Sequence, residues 1–253
     1  MIQRRFFLTI ASFSLLALLA FRQLPGRITV YLIGDSTMSV KQVKAYPETG
    51  WGMPFVHFFD ESVTVDNRAM NGRSTKSFID ENRWQPVVDQ LREGDYVFIQ
   101  FGHNDEVKTK KTYTPEAEYR TNLIRFITES QAKKAIPVLL TPVARRQFDE
   151  AGKIKESHAT YSELVRGVAS EYKIPFIDLD KQSQELYQTF GMENSKLLFL
   201  QVAPDEHPNY PEGKVDNTHF NELGARKIAE LVLTNIKTLK LDLADRIVKK
   251  EVK

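Results

Sequence analysis

The 253-residue sequence contains no cysteine, which excludes disulfides, a thiol nucleophile and cysteine-based metal sites. It also lacks an excess of charge of one sign, because 35 basic residues stand against 33 acidic ones. A strongly basic surface is the usual mark of nucleic-acid binding, so we predict no nucleic-acid partner. The sequence has no internal repeat or low-complexity tract, and its length suits one globular domain, which we assign to residues 25–253.

Long apolar runs are scarce, and the one that stands out lies at the N-terminus. Arg4 and Arg5 precede the apolar segment 6–21, which is the pattern of an export signal. The arginine pair fits a twin-arginine signal, but we favour an ordinary secretory signal. Ala20 offers a cleavage site, although Leu18 is a poor residue two positions before it. We assign residues 1–24 as a signal peptide, with an N-terminal membrane anchor as the alternative, and predict an exported protein, periplasmic or extracellular.

From Ile28 onward, short runs of β-branched and aromatic residues alternate with longer helix-like segments. This alternation predicts βαβ units, and apolar runs without strict alternation are typical of strands covered on both faces. We therefore predict an α/β protein, a three-layer α/β/α sandwich with a central five-stranded parallel sheet. The predicted strands are 29–33, 63–67, 96–101, 137–141 and 175–178.

Helices are predicted at 115–132, 157–172 and 221–239, and irregular stretches at 38–53, 103–113, 144–155 and 198–217. Most of the irregular stretches follow strands or precede the last helix. In open parallel sheets, ligands bind outside the carboxyl ends of the strands. We expect the functional site on that rim.

Ser36 is the first candidate catalytic residue, because the apolar run 29–33 ends in Gly34-Asp35-Ser36. Taken alone, this motif is equally a common turn or a helix N-cap. Asp216 lies three residues before His219, just ahead of the last helix, so it could orient the imidazole within one turn. A neutral His219 could then take the Ser36 proton.

Two further stretches offer hydrogen-bond donors for an oxyanion. Gly72 follows the second predicted strand and lets the backbone approach a ligand closely, and Asn104 follows the third strand with a side-chain amide. A glycine turn and a turn asparagine are the alternatives for each residue in isolation.

These motifs form an ordered set along the chain: Gly34-Asp35-Ser36, Gly72, Gly102-His103-Asn104-Asp105 and Asp216-x-x-His219. In this set the sequence resembles the SGNH hydrolases, also called GDSL esterases, over residues 28–239. The resemblance implies a flavodoxin-like SGNH hydrolase fold. It also implies Ser36 as nucleophile, His219 as general base and then acid, Asp216 as its orienting partner, and an oxyanion hole made by Ser36, Gly72 and Asn104. It implies no metal and no cofactor.

The residues around these motifs look most like rhamnogalacturonan acetylesterases. They are Gly50-Trp51-Gly52, Asn71-Gly72-Arg73-Ser74, Phe101-Gly102-His103-Asn104-Asp105 and Asp216-Asn217-Thr218-His219-Phe220. Asn82 departs from the pattern, because a glycine is expected there. The resemblance implies a carbohydrate O-acetylesterase that deacetylates rhamnogalacturonan in pectin, with an acetylated polysaccharide or oligosaccharide as its partner.

Five residues are candidates for substrate binding. Arginine suits the galacturonate carboxylates of the polysaccharide, a tryptophan can stack on a sugar, and a histidine could line the entrance. These candidates are Trp51, Arg73, Arg145, Arg146 and His207. Solvated surface cations, a tryptophan anchored in the core and a plain turn histidine are the alternatives.

Other functions remain open at this stage. One alternative is an SGNH esterase for another acylated glycan, such as acetylxylan, or for a lipid-like ester. A non-enzyme alternative is a flavodoxin-like ligand-binding module. The sequence predicts no particular oligomeric state, and membrane association only through residues 1–24.

Overall fold

The computed structural model of the protein describes residues 26–249. The predicted signal peptide or membrane anchor at residues 1–24 lies outside this range and stays a prediction. None of the helices between residues 26 and 249 has the length and apolar character needed to cross a bilayer.

Five parallel strands form the central sheet, in the order β2-β1-β3-β4-β5. The strands are β1 (Ile28–Gly34), β2 (Val63–Asn67), β3 (Tyr96–Gln100), β4 (Ile136–Leu140) and β5 (Phe176–Ile177). Each bound lies within one residue of its predicted position. The predicted five-stranded parallel sheet is therefore confirmed.

The helices of the described range are α1 (Gly52–Phe55), α2 (Thr75–Asp80), α3 (Gln85–Gln90), α4 (Glu116–Ala132), α5 (Ala159–Tyr172), α6 (Leu179–Asn194) and α7 (Glu222–Thr238). The three predicted helices are α4, α5 and α7. The sequence pattern missed α6, because its buried face mixes Leu179 and Tyr187 with Asp180 and Ser183. Polar residues on the buried face hide the apolar periodicity on which the prediction depends.

The stretch 198–217, predicted to be irregular, is not irregular throughout. It contains β6 (Phe199–Val202) and the start of β7 (Lys214–Phe220), which pair as a separate antiparallel sheet. Six of the seven residues of β7 are exposed or half-buried, so the strand carries no apolar run that a sequence pattern could detect. This hairpin presents Asp216 and His219 at the rim.

The sheet is covered on both faces, because alternate residues of β1, β3 and β4 point into different cores. Val30 and Leu32 of β1 belong to the cluster under α7, whereas Tyr31 and Ile33 belong to the cluster under α4 and α5. Such strands read as continuous apolar runs. The three-layer α/β/α sandwich is confirmed.

The strand order places β1 between β2 and β3. The chain leaves β1 toward β2 on one side, and β3 begins the other half of the sheet. In doubly wound sheets, ligands bind at such a switch point, outside the carboxyl ends of the strands. The residues that follow β1, β2 and β3 therefore meet at one rim.

Candidate active site

A tight turn at the end of β1 presents Ser36. The Met38 and Ser39 backbone N–H groups both donate to the Asp35 carbonyl, at 3.3 and 3.1 Å. Asp35 is fully buried, and its Oδ1 accepts the Thr37 backbone N–H at 2.9 Å and the Thr37 hydroxyl at 2.8 Å. Gly34 is required here, because a Cβ would lie 2.6 Å from the Gln100 carbonyl oxygen. The turn therefore leaves Ser36 at the rim.

Ser36, His219 and Asp216 lie in one hydrogen-bonded chain. Ser36 Oγ is 2.9 Å from His219 Nε2, and His219 Nδ1 is 2.8 Å from Asp216 Oδ2. An ionised carboxylate can only accept, so Asp216 places the imidazole proton on Nδ1 and leaves the Nε2 lone pair facing the Ser36 hydroxyl. The structure thus brings the three predicted residues together from β1 and β7.

The Asp216 carboxylate is held in its ionised form. Partial burial opposes ionisation, but hydrogen bonds from the His219 ring, the His219 backbone N–H and the Thr218 backbone N–H outweigh it and hold the pKa of Asp216 below its usual range. The two backbone N–H groups donate to Oδ1 at 2.9 and 2.7 Å. Asp216 therefore remains an acceptor for His219 across the neutral and mildly acidic range.

The predicted oxyanion donors lie in the loops after β2 and β3. Gly72 has φ +77°, a conformation that favours glycine, and the preceding Met70 N–H donates to the Gly34 carbonyl at 3.0 Å. Asn104 is 4% exposed, and its Nδ2 donates to the Arg73 carbonyl at 3.0 Å. One amide hydrogen of Asn104 holds the Gly72 loop, and the second is the one that an oxyanion would use.

A buried group of titratable residues lies in and around the motif Gly102-His103-Asn104-Asp105. Asp105 Oδ1 accepts the Thr75 backbone N–H at 2.8 Å and the Thr75 hydroxyl at 2.7 Å, and burial raises the pKa of Asp105 to about 7. The His103 ring packs edge-on against His158, with 4.3 Å between ring centroids. Burial, with the charges of His158 and Arg145, holds the pKa of His103 well below its usual value.

Trp51 does not lie where it could stack on a sugar. Its side chain is completely buried, its indole N–H donates to Gln100 Oε1 at 2.6 Å, and its ring meets Phe55 edge-on. We therefore correct the prediction that Trp51 binds substrate. The glycines beside it are required for packing, since a Cβ on Gly50 or Gly52 would lie within 2.4 Å of neighbouring atoms.

Arg146 is also wrong as a substrate-binding candidate. The residue is 8% exposed, and its guanidinium donates to Ser195 Oγ and Asn217 Oδ1, each at 2.9 Å, and to the Met192 carbonyl. These contacts tie the end of α6 to β7. Because the donors are used inside the protein, Arg146 has a structural role.

Arg145 and Arg73 remain at the rim. Arg145 donates to Thr218 Oγ1 at 2.9 Å and pairs with Glu106 at 3.3 Å, so it lies beside His219. Arg73 pairs with Glu81 at 2.9 Å and follows Gly72 directly. Both side chains are partly exposed, Arg145 beside His219 and Arg73 beside Gly72 in sequence, so both remain candidates.

His207 lines a cleft of about 390 Å³ whose other walls include Tyr46, Pro47, Met53 and Arg226. Its Nδ1 accepts the Asn209 backbone N–H at 3.1 Å. The cleft also includes Thr49, whose backbone N–H donates to the carbonyl of Phe220, the residue after His219. His207 therefore remains a candidate for the approach to the site.

Lys41 was missed by sequence reasoning. Its side chain is completely buried and its ammonium contacts Ser36, Asn71 and Glu48. The sequence holds only a Lys and a Glu seven positions apart in a stretch predicted to be irregular, and charged residues in such a stretch are ordinarily exposed. No pattern signalled its burial.

The fold and this rim define a class of protein, and comparison with known families agrees with it. The model of the GDSL-like Lipase/Acylhydrolase family matches residues 32–227. The chain belongs to this family and is a hydrolase of carboxylic esters, so the predicted resemblance is confirmed.

Individual relatives are similar over nearly the whole described chain. The rhamnogalacturonan acetylesterase RhgT of Bacillus subtilis (strain 168) is 43% identical over 226 residues, which are 89% of this chain and 97% of RhgT. The probable rhamnogalacturonan acetylesterase YesY of the same organism is 35% identical over 87% of this chain and 97% of YesY. The crystal structure of Bacillus subtilis YxiM matches with a TM-score of 0.74 and 26% identity, over 85% of this chain and 58% of the YxiM chain.

Proposed function

We propose that this protein is a carbohydrate O-acetylesterase that deacetylates rhamnogalacturonan. The observation that carries the proposal is the chain of hydrogen bonds from Ser36 Oγ through His219 to Asp216, at 2.9 and 2.8 Å. The substrate class is supported by the similarity to RhgT, which extends over 97% of that relative. An acetylated polysaccharide or oligosaccharide is the partner that this activity requires.

In the proposed reaction, Ser36 Oγ attacks the acetyl carbonyl carbon while His219 Nε2 takes the hydroxyl proton. The tetrahedral intermediate collapses as the bond to the sugar oxygen breaks, and His219 gives its proton to that oxygen. Water then attacks the acetyl-enzyme, with His219 again accepting a proton and returning it to Ser36 as acetate leaves. Asp216 stabilises the imidazolium at both stages.

The negative charge that develops on the carbonyl oxygen needs fixed donors. The Ser36 and Gly72 backbone N–H groups and the Asn104 amide are assigned to this role, because they follow β1, β2 and β3 at the same edge of the sheet. Preorganised donors of this kind stabilise a transition state without further rearrangement. The proposed scheme uses only groups of this chain and requires no metal or cofactor.

The substrate carries galacturonate carboxylates, and we assign Arg145 and Arg73 to their recognition. Both guanidinium groups already contact one carboxylate, Glu106 or Glu81, with the side chains still partly exposed. An arginine beside the acyl site can share its remaining donors with a substrate carboxylate. His207 and the adjacent cleft are assigned to a more distant part of the polysaccharide.

The decisive experiment measures acetate release from native acetylated rhamnogalacturonan beside acetylxylan, by wild type and Ser36→Ala. We expect release from rhamnogalacturonan by wild type only. Comparable release from both polymers would overturn the pectin preference and leave the esterase assignment standing. Activity retained in Ser36→Ala would overturn the proposed nucleophile.

Two simpler assays separate the remaining alternatives. A small acyl pocket predicts that p-nitrophenyl acetate is hydrolysed much faster than the octanoyl ester, whereas a lipid-like ester substrate predicts the reverse. A ligand-binding module without catalysis predicts that Ser36 does not react with a serine-directed phosphonate. Stoichiometric labelling of wild type, absent in Ser36→Ala, would exclude that module.

We further infer that the protein is exported by means of residues 1–24. The support is the arginine pair before the sixteen-residue apolar segment 6–21. N-terminal sequencing of the protein recovered from the periplasm or medium tests the inference. A mature N-terminus near residue 21 supports cleavage, an intact N-terminus in the membrane fraction supports the anchor, and full-length protein in the cytoplasm contradicts export.

A further inference from the structure

A buried lysine lies directly behind the nucleophile turn. The Lys41 side chain has no exposed surface, and its Nζ donates to the Ser36 carbonyl at 2.5 Å and to Asn71 Oδ1 at 2.7 Å. Glu48 Oε1 lies 2.7 Å from the same ammonium. Lysine is almost never fully buried unless it is paired, and here the buried ammonium is paired with Glu48 and hydrogen-bonded to two acceptors.

The ammonium fixes the peptide group that follows Ser36. The oxygen of this peptide accepts from Lys41, and its N–H, which belongs to Thr37, donates to Asp35 Oδ1 at 2.9 Å. Because both ends of the peptide are held, rotation about the Ser36 Cα–C bond is restricted. Lys41 therefore anchors the carbonyl side of Ser36, whose Oγ lies 2.9 Å from His219 Nε2.

The Lys41 ammonium also contacts the loop that follows β2. Asn71 immediately precedes Gly72, and its Oδ1 accepts from Lys41 and from the Ser39 hydroxyl at 2.5 Å. Asn71 itself is exposed, so only its side-chain oxygen is drawn inward toward the buried cation. Lys41 therefore joins the turn that carries Ser36 to the loop that carries Gly72.

We propose that Lys41 is a positioning residue that sets the spacing between the two backbone donors of the oxyanion hole, with Glu48 keeping its ammonium charged and in place. The proposal rests on the esterase function proposed above. A shift of about 1 Å in such an arrangement can lower the rate by about 100-fold, and the cost falls on the chemical step because the donors act in the transition state.

The test compares Lys41→Met with the double variant Lys41→Met/Glu48→Gln. Methionine keeps an unbranched apolar stem and removes the ammonium, which leaves the half-buried Glu48 without its partner and lowers thermal stability. The double variant removes both charges, so we expect its thermal stability to recover toward that of wild type. If Lys41 positions Ser36 and Gly72, kcat for p-nitrophenyl acetate stays roughly 10- to 100-fold low in both variants, with KM within about twofold.

The variant Asn71→Ala is a second test, in which the Lys41–Glu48 ion pair stays intact. This exposed residue can be truncated without opening the core, and the ammonium then loses its link to the Gly72 loop. We expect the rate of Ser36 labelling by a phosphonate to fall together with kcat, and thermal unfolding to remain close to that of wild type. Lys134→Met, which breaks an exposed pair with Glu93, is the charge-matched control and is expected to keep the wild-type rate.

The outcomes distinguish this inference from the proposed function. If wild type hydrolyses the ester while the folded double variant and Asn71→Ala keep kcat within twofold, Lys41 only completes an ion pair and the inference is overturned. Recovery of both stability and kcat in the double variant overturns it as well. If wild type neither hydrolyses the ester nor reacts with the phosphonate, the proposed function itself fails.

Discussion

Asp216 holds His219 at two points, with Oδ2 2.8 Å from ring Nδ1 and Oδ1 accepting the His219 backbone N–H at 2.9 Å. The carboxylate therefore sets both the tautomer of the imidazole and the conformation of the strand that presents it. The pairing of β7 with β6 is irregular here, since Phe199 pairs with Phe220 and Gln201 with Val215, and the Asp216 side chain reaches the His219 backbone N–H within this irregular segment.

Replacing the carboxylate by an amide tests this double contact. Asp216→Asn keeps the size of the side chain but allows the wrong imidazole tautomer, and in other serine hydrolases the equivalent change lowers kcat by about 10⁴-fold. We expect a loss of that order on p-nitrophenyl acetate. Asp205→Asn, an exposed change of the same kind, is the control. A loss smaller than tenfold in Asp216→Asn would contradict the assigned role.

Asp216 also makes a specific contribution to acid stability. The pKa of Asp216 is lower in the folded protein than in the unfolded chain, where it is about 3.9. The ionised carboxylate therefore stabilises the fold fully above about pH 3.9, and this stabilisation is lost as the pH falls from there through the pKa of the folded protein. We expect wild type to be more stable than Asp216→Asn at pH 7, and the difference in Tm to shrink below about pH 4. A Tm difference that does not change between pH 7 and pH 3 would be inconsistent with this linkage.

Asn104 is assigned to the oxyanion hole, and removal of one such donor typically costs about 10²- to 10³-fold in kcat. We expect Asn104→Ala to show a loss in this range, and Asn104→Asp, which cannot donate, at least as large a loss. Both variants also lose the hydrogen bond to the Arg73 carbonyl, so thermal unfolding must be measured alongside. Near-normal turnover by a folded Asn104→Ala protein would remove Asn104 from the scheme.

The two neighbouring arginines should respond in opposite ways. Arg146→Ala leaves Ser195, Asn217 and Met192 without their buried donor, so we expect a loss of unfolding free energy of about 1–3 kcal/mol. Arg145→Ala should change stability less and raise KM for the polysaccharide more than for p-nitrophenyl acetate. Chemical denaturation and the two kinetic assays measure both effects. A change in polysaccharide KM of twofold or less in Arg145→Ala would end its proposed role.

His103 and Asp105 should make opposite contributions to stability between about pH 4 and pH 6.5. The pKa of folded His103 is lowered, so the unfolded chain binds its proton more readily and stability falls as pH drops below about 6.5. The pKa of folded Asp105 is raised to about 7, so the folded chain binds this proton more readily and stability rises as pH falls from 7 toward 4.

Single variants separate the two contributions. With Asp105→Asn, Oδ1 can still accept from Thr75 and the stabilising protonation is removed, so the Tm at pH 5 relative to pH 7 should be lower than in wild type. With His103→Asn, the Tm at pH 5 relative to pH 7 should be higher than in wild type. Parallel Tm curves for all three proteins would show that neither group titrates differently on folding.

The fold could be predicted largely from sequence because the inner strands β1, β3 and β4 are buried on both faces. Val30 to Ile33 form a continuous apolar run for that reason, and the stripe of α7 reaches the core through Ile228, Val232 and Ile236. The same reasoning missed α6, the short helices α1, α2 and α3, and the hairpin strands β6 and β7. Asp180 occupies a buried position of α6 and pairs with Arg166, and β7 is polar because it carries Asp216 and His219.

Side-chain environment was the part that sequence could not supply. An arginine in a rim loop is predicted to face solvent, yet Arg146 is buried because three acceptors from α6, from β7 and from the segment after α6 surround its guanidinium. Trp51 turned inward because Gln100 at the end of β3 accepts its indole N–H. These partners come from residues 46 to 71 positions away.

By itself, the sequence determined the α/β class, the five parallel strands and the motif residues at their ends, because apolar period and turn chemistry are local properties of the chain. Only the tertiary structure decided that Ser36 Oγ meets His219 across 183 positions. It also decided that Lys41 is buried between Ser36, Asn71 and Glu48. Trp51 and Arg146 likewise proved to be buried, with hydrogen-bond partners inside the protein. Whether a polar side chain faces solvent or a buried partner depends on which distant segments pack against it, and no local pattern records that.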